Sequence, residues 1–155
     1  MKILKKLLIF LLIVFAMIQF FRPKKNLSDT IPATDFIAMT KPSPEVETTL
    51  RSACYDCHSN NTNYPWYSEI APVSFVIAEH VKDGKKHLDF SEWGNYSAKK
   101  KAHKLEELIE YVEEGYMPES SYTWMHSEAR LSKEQIAELT NWARDIRFIY
   151  ELGDE

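Results

Sequence analysis

The stretch Cys54-Tyr55-Asp56-Cys57-His58 governs how the rest of the chain is read. It is a C-x-x-C-H pattern, the sequence form of a c-type haem attachment site. Two thiols three residues apart lie on one side of a helical turn. From there both reach the two vinyl groups of one porphyrin and can form thioethers. The next residue, His58, places an imidazole nitrogen under the iron as the proximal axial ligand. Cys54 and Cys57 are the only cysteines in the chain.

Three other chemistries use C-x-x-C. A structural zinc site wants a second ligand pair at knuckle spacing, but His80, His87, His103 and His126 are scattered, with no H-x₃₋₅-H pair among them. A thioredoxin-like pair needs an alternating βα pattern, which the chain does not show. A simple disulfide is the third alternative.

A chain of 155 residues corresponds to one small domain with appendages. Lys2, Lys5 and Lys6 precede an apolar run from Leu7 to Phe21 whose only polar residue is Gln19, and Arg22, Pro23, Lys24 and Lys25 close it. With Ile3 and Leu4 counted and Lys5 and Lys6 snorkelling, the run reaches the roughly 17–25 residues of a spanning helix. A cleaved signal ends in small residues of A-x-A type, whereas this run ends in the bulky Ile18-Gln19-Phe20-Phe21. Residues 1–25 are therefore expected to form an uncleaved signal-anchor, a single membrane helix. Basic residues at both ends weaken the positive-inside rule. The attachment motif orients the chain instead, because thioether formation implies a haem domain on the outer, periplasmic face of the cytoplasmic membrane.

All six charges in residues 1–25 are basic, which leaves 13 basic and 23 acidic residues and a net charge of −10 in the remainder. Nucleic acid is not a fitting partner for such a surface. A redox partner with a basic docking patch is.

Residues 26–42 read as a linker, partly packed on the domain, and residues 43–155 as the domain itself. Ser43-Pro44 opens a helix, followed at helical spacing by Val46, Leu50, Ala53 and Cys57, so the motif is expected at that helix's C-terminal end. Tyr64-Pro65-Trp66-Tyr67 is an aromatic cluster suited to a haem edge or to ordinary packing. A second helix is expected from Pro72 through Val73, Val76, Ile77 and His80, ended by Asp83-Gly84. Phe90 to Gly94 reads as a turn. A third helix spans Ala98 to Glu114, with Leu105, Leu108, Ile109 and Val112 as its buried stripe and Gly115 as its cap. The last begins at Ser132, with Gln135 completing a capping box, and carries Ile136, Leu139, Ala143, Ile146 and Tyr150 on one face. No strand pattern is evident. The expected fold is all-α: a small cytochrome c-like helical domain around one covalent haem. A domain of about 100 residues is small for a core of its own, so the haem-free form is expected to be poorly folded.

The sixth iron position has several candidates: Met117, Met125, His80, His87, His103 and His126. Met117 leads. It lies in a loop after a capped helix, far enough past His58 to approach from the opposite face, and Pro118 stiffens the backbone beside it. A thioether opposite histidine raises the reduction potential, as suits an electron carrier. A lone methionine is otherwise a gap-filler in a core. His80, on the apolar face of the second helix, is the runner-up. His126 follows, with hydrogen bonding to a propionate as its other role. An empty sixth position is the remaining possibility.

C-x-x-C-H, then Met117-Pro118, then Leu131-Ser132 through Ile136, Leu139 and Trp142, is similar in order to small class I cytochromes c. The chain more closely resembles the bacterial haem-binding domain family, on Cys54 to Asn60, Tyr64 to Tyr67, Ile70 to Ser74, Phe90 to Trp93 and Met117 through Ser132. Within the last stretch Met117, Pro118, Tyr122, His126, Ala129 and Leu131 fall in place. The resemblance covers residues 44–145 and implies a covalently bound haem in a membrane-anchored or secreted protein.

The expected protein is thus a membrane-anchored monohaem c-type cytochrome, not an enzyme, passing single electrons outside the cytoplasmic membrane. Haem c is held by Cys54 and Cys57, with His58 and Met117 on the iron. Two other classes would need an open or easily displaced sixth position. One is a haem-based sensor or small-ligand binder. The other is a peroxidase-associated haem module, with His80 or His126 as distal acid/base.

Overall fold

Two long amphipathic helices form the back of the molecule. In a computed structural model, which describes residues 1–153, these are α6 (Ala98–Glu113) and α8 (Lys133–Leu152). Ahead of them come α1 (Lys2–Ile18), α2 (Phe36–Thr40), α3 (Pro44–Ala53), α4 (Tyr55–His58) and α5 (Val73–His87), and between them α7 (Ser120–Met125). Short 3₁₀ turns fall at Trp66–Glu69, Phe90–Asn95 and Ser127–Ala129. No strand occurs among the described residues, so the fold is all-α, as the sequence indicates.

The helix starts follow local chemistry. Ser43, Ser97 and Ser132 each accept a hydrogen bond from a first-turn amide of α3, α6 and α8 respectively. At α8 the box is reciprocal: Ser132 Oγ accepts from Gln135 N at 3.2 Å, and Gln135 Oε1 accepts from Ser132 N at 2.9 Å. Gly115 ends α6 at φ +74°, a left-handed conformation that glycine adopts without Cβ strain.

The expected stripes are the buried ones. Leu105, Leu108, Ile109 and Val112 of α6 meet Leu139 and Ala143 of α8, and Val46, Leu50 and Ala53 of α3 pack beside them. Three features depart from the sequence reading. The segment read as linker delivers Phe36 into the centre of the core, fully buried between Phe90 and Trp93. Phe90 to Gly94 is not a peripheral turn, since Phe90 and Trp93 are among the most buried side chains. The second helix also does not stop at Asp83-Gly84 but runs to His87.

α1 forms where the apolar run predicts a helix. It is 17 residues long and none of its residues is buried. Among the described residues no helix is long and apolar enough to cross a membrane.

Candidate functional site

Cys54 does not sit at the end of one helix, as the spacing suggests, but at a break between two. Its φ of −127° interrupts the helix after Ala53, and α4 restarts at Tyr55. This reorients Cys57 and His58 relative to α3. Both cysteines are partly buried free thiols.

The two intervening residues hold α4 in place. The Tyr55 hydroxyl, deep in the core, donates to Asp35 Oδ1 at 3.0 Å, and Asp35 also caps α2 through the amides of Ile37 and Ala38. Asp56 points the other way. Its Oδ2 accepts from the Tyr122 hydroxyl at 2.8 Å and its Oδ1 accepts from Asn63 N at 2.9 Å. The motif's two central residues thus tie α4 to the core on one side and to α7 on the other.

α4 rests on α5 at Gly84. A Cβ there would lie 2.7 Å from the Cys57 carbonyl oxygen, so only glycine permits this approach. The sequence marks Gly84 as a helix end, but its use is close helix packing.

His58 is oriented by the residue after α5. Its Nδ1 lies 2.9 Å from the Leu88 carbonyl oxygen. A carbonyl only accepts, so Nδ1 carries the hydrogen and Nε2 keeps its lone pair for a metal. A carbonyl bonded to the far nitrogen is the usual way an imidazole ligand is fixed in tautomer and ring orientation. Phe90 adjoins the ring, with centroids 5.9 Å apart. Burial lowers the His58 pKa despite the Leu88 bond, which favours the neutral, ligating form.

Burial also governs the thiols. Desolvation, reinforced by Cys57, pushes Cys54 up to about 12. Desolvation, with the Asp56 and Glu119 charges adding to it, pushes Cys57 up to about 11. Both remain thiols at neutral pH, unlike the lowered cysteine of a thioredoxin-type pair. No group of three or more His, Cys, Asp or Glu among the described residues is placed to hold a metal ion by itself, so the donor set for a structural zinc site is lacking.

Met117 is partly buried against the core. Its amide donates to the Tyr111 carbonyl at 3.0 Å, which fixes the loop after Gly115. Three residues on from Met117 the chain enters α7, which the Tyr122–Asp56 bond holds to the motif. His80 lies at the same place, its Nδ1 3.9 Å from Glu119 Oε2. His126 has both nitrogens engaged. Nδ1 faces Glu128 Oε1 at 3.2 Å, and Nε2 accepts from the Tyr67 hydroxyl at 2.7 Å. Its ring stacks on Tyr122 at 4.3 Å. His103 lies on the outer face of α6 beside Glu106 and Glu107 and takes no part. His87 is exposed at the end of α5. Met125 is exposed at the end of α7.

Sequence reasoning missed Asp35, Gly84, Leu88 and the Asp56–Tyr122 bond. Only Gly84 carries a signal in the sequence, and that signal marks a helix stop. The others act through tertiary contacts or a backbone atom, to which residue type gives no clue.

The residues fit a flat apolar macrocycle. A neutral imidazole presents one free nitrogen, two uncharged thiols adjoin it, and Val76, Tyr116, Trp124 and Met125 leave apolar surface exposed on the segments nearby. A small helical domain that holds an oriented imidazole beside two thiols is suited to binding a haem. The profile of the haem-binding domain family matches residues 13–145. The chain belongs to that family, and its cofactor is haem. No curated protein and no solved structure matches the chain.

Proposed function

We propose that this protein is a membrane-anchored monohaem c-type cytochrome that passes single electrons outside the cytoplasmic membrane. The observation that carries the reading is the Leu88 carbonyl on His58 Nδ1, which leaves Nε2 as the ligand atom. Cys54 and Cys57 hold the haem covalently. Each thiol would supply one thioether bond to the porphyrin. The bound haem supplies an iron that cycles between two oxidation states. His58 and Met117 would hold its iron.

The protein's own part is orientation and burial. Leu88 fixes the imidazole, Gly84 brings Cys57 against α5, and Asp56 and Tyr122 hold α7 by the motif. His126 is engaged by Tyr67 and Glu128, which disfavours it as the sixth ligand. The Tyr122–Asp56 bond, which holds α7 to the motif just after Met117, supports Met117. Residues 1–25 anchor the protein, and the acidic domain suits a redox partner with a basic patch.

The test is the absorption spectrum of the haem-loaded protein, oxidised and reduced, for wild type and Met117→Ala. A low-spin wild type whose methionine–iron charge-transfer band vanishes in the variant is expected. An unchanged low-spin spectrum rejects Met117 and turns attention to His80. A high-spin wild type that binds carbon monoxide without denaturant rejects the electron carrier in favour of a ligand-binding or peroxidase-type site. Mass spectrometry of the denatured protein checks covalent attachment, which Cys54→Ser with Cys57→Ser should abolish.

A further inference from the structure

α1 is not joined to the domain by a free tether. Gln19, immediately after it, clasps one residue of the loop ahead of α5 from both sides. Its Nε2 donates to the Ala71 carbonyl at 3.0 Å, and its Oε1 accepts from Ala71 N at 3.0 Å. Arg22 pairs with Glu69 at 2.9 Å, and Lys25 pairs with the same carboxylate. Asn26 then bonds Ser59 O at 2.7 Å and Thr62 Oγ1 at 2.9 Å. The exit of α1 and the 59–72 loop form one cross-braced corner.

The surface around that clasp is apolar and open. Trp66 is 76% exposed, and Ile70 and Val73, which flank Ala71 and Pro72, are also exposed. Phe20 and Phe21, which follow the clasping Gln19 in the chain, are 83% and 67% exposed. Isolated exposed apolar residues need no explanation, but a group of them rimmed by Arg22, Lys24 and Lys25 does.

The length of α1 supplies the explanation. Its 17 residues rise about 26 Å at ~1.5 Å each, a few Å short of the ~30 Å hydrocarbon core of a bilayer. A short span draws its flanking residues into the membrane, and aromatic side chains are favoured at the interface. The residues that flank this span in space include the clasped corner.

We propose that Trp66, Ile70 and Val73, together with Phe20 and Phe21, dock into the lipid–water interface of the bilayer that α1 enters. The corner completes the short span, and the Gln19 clasp fixes the haem domain at one orientation against the membrane. This inference rests on the anchor reading above and goes beyond it, since an anchor on a loose tether would leave the corner in water.

The test uses the full-length, haem-loaded protein in vesicles of phosphatidylethanolamine and phosphatidylglycerol. A photoreactive benzoylphenylalanine is placed singly at Val14, Val73 or Glu110, an exposed position on α6. Lipid adducts are counted by mass spectrometry. Adducts at Val14 and at Val73, each severalfold above Glu110, are expected, and Trp66→Asp should bring Val73 down towards the Glu110 level while leaving Val14 unchanged. Adducts at Val14 with none above background at Val73 overturn the docked corner and leave the anchor standing. No adducts at Val14 overturn the anchor, and the docked corner with it.

Discussion

A Cβ at Gly84 would lie 2.7 Å from the Cys57 carbonyl oxygen and 3.2 Å from the carbonyl carbon. Both are backbone atoms with nowhere to turn, so Gly84→Ala must separate α4 from α5. Alanine is favoured over glycine inside a helix by about 1 kcal/mol, but overpacking of this kind costs about 1–3 kcal/mol. The expected variant is less stable in urea and shows an altered haem spectrum, because Cys57 and His58 move together. The two tyrosines tied to the motif should separate by burial. Tyr122→Phe removes a half-buried bond to Asp56 and should cost about 1 kcal/mol. Tyr55→Phe deprives the buried Asp35 carboxylate of a donor and should cost more, about 1–3 kcal/mol. Urea midpoints of the two variants measured side by side check the order, and a larger loss for Tyr122→Phe would reverse the assignment of which bond is deeper.

At the scale of elements, α5 shows how local rules are overridden. Asp83-Gly84 is a stop signal taken alone, yet the helix continues one turn further. The glycine's intrinsic cost is offset by contact with α4, and Lys85, Lys86 and His87 sit in the last turn, where positive charge is favoured. That extra turn is what delivers the Leu88 carbonyl to His58. α8, by contrast, begins where the sequence says. Ser132→Ala breaks the capping box and should lower stability by about 1 kcal/mol, readable as a shift in the thermal midpoint. The strap after α1 is a third case. Asn26→Ala removes the side-chain bonds to Ser59 and Thr62, so the amides of residues 59–64 should exchange hydrogen faster than in wild type while those of α6 and α8 are unchanged. Equal protection in both proteins would show that the strap does not brace this loop.

For the molecule as a whole, the core reaches the motif through Tyr55. Phe36, Phe90, Trp93, Leu105, Leu139 and Ala143 are buried together between α2, α3, α6 and α8, with Phe36 stacked on Phe90 at 4.9 Å and Tyr55 on the other neighbour of that stack, 5.0 Å from Phe90. α6 and α8 bury their stripes mainly against each other, which confines the expected loss of structure in the haem-free form to the segments around the motif. Cys54→Ser with Cys57→Ser, prepared without haem, should keep protected amides in α6 and α8 and lose protection in α4, α7 and the 116–126 segment. Uniform loss across the chain would mean that haem is needed for the core as well.

The sequence alone determined the helical class, the places where α3, α6 and α8 begin, the buried stripes of α6 and α8, and the C-x-x-C-H segment. These are set by neighbours within a few residues: a serine oxygen reaches its own first turn, a 3.6-residue period makes a face, and two thiols and an imidazole share one short segment. Only the tertiary structure decided that residues 26–42 feed Phe36 into the core, that residues 19–28 brace the 59–72 loop, that Cys54 breaks the helix, and that Gly84 serves close packing. It alone also showed that His58 is held by a backbone carbonyl 30 residues away. Each depends on a contact between segments distant in the chain, and a carbonyl or a missing Cβ reads the same in every sequence until folding shows what approaches it.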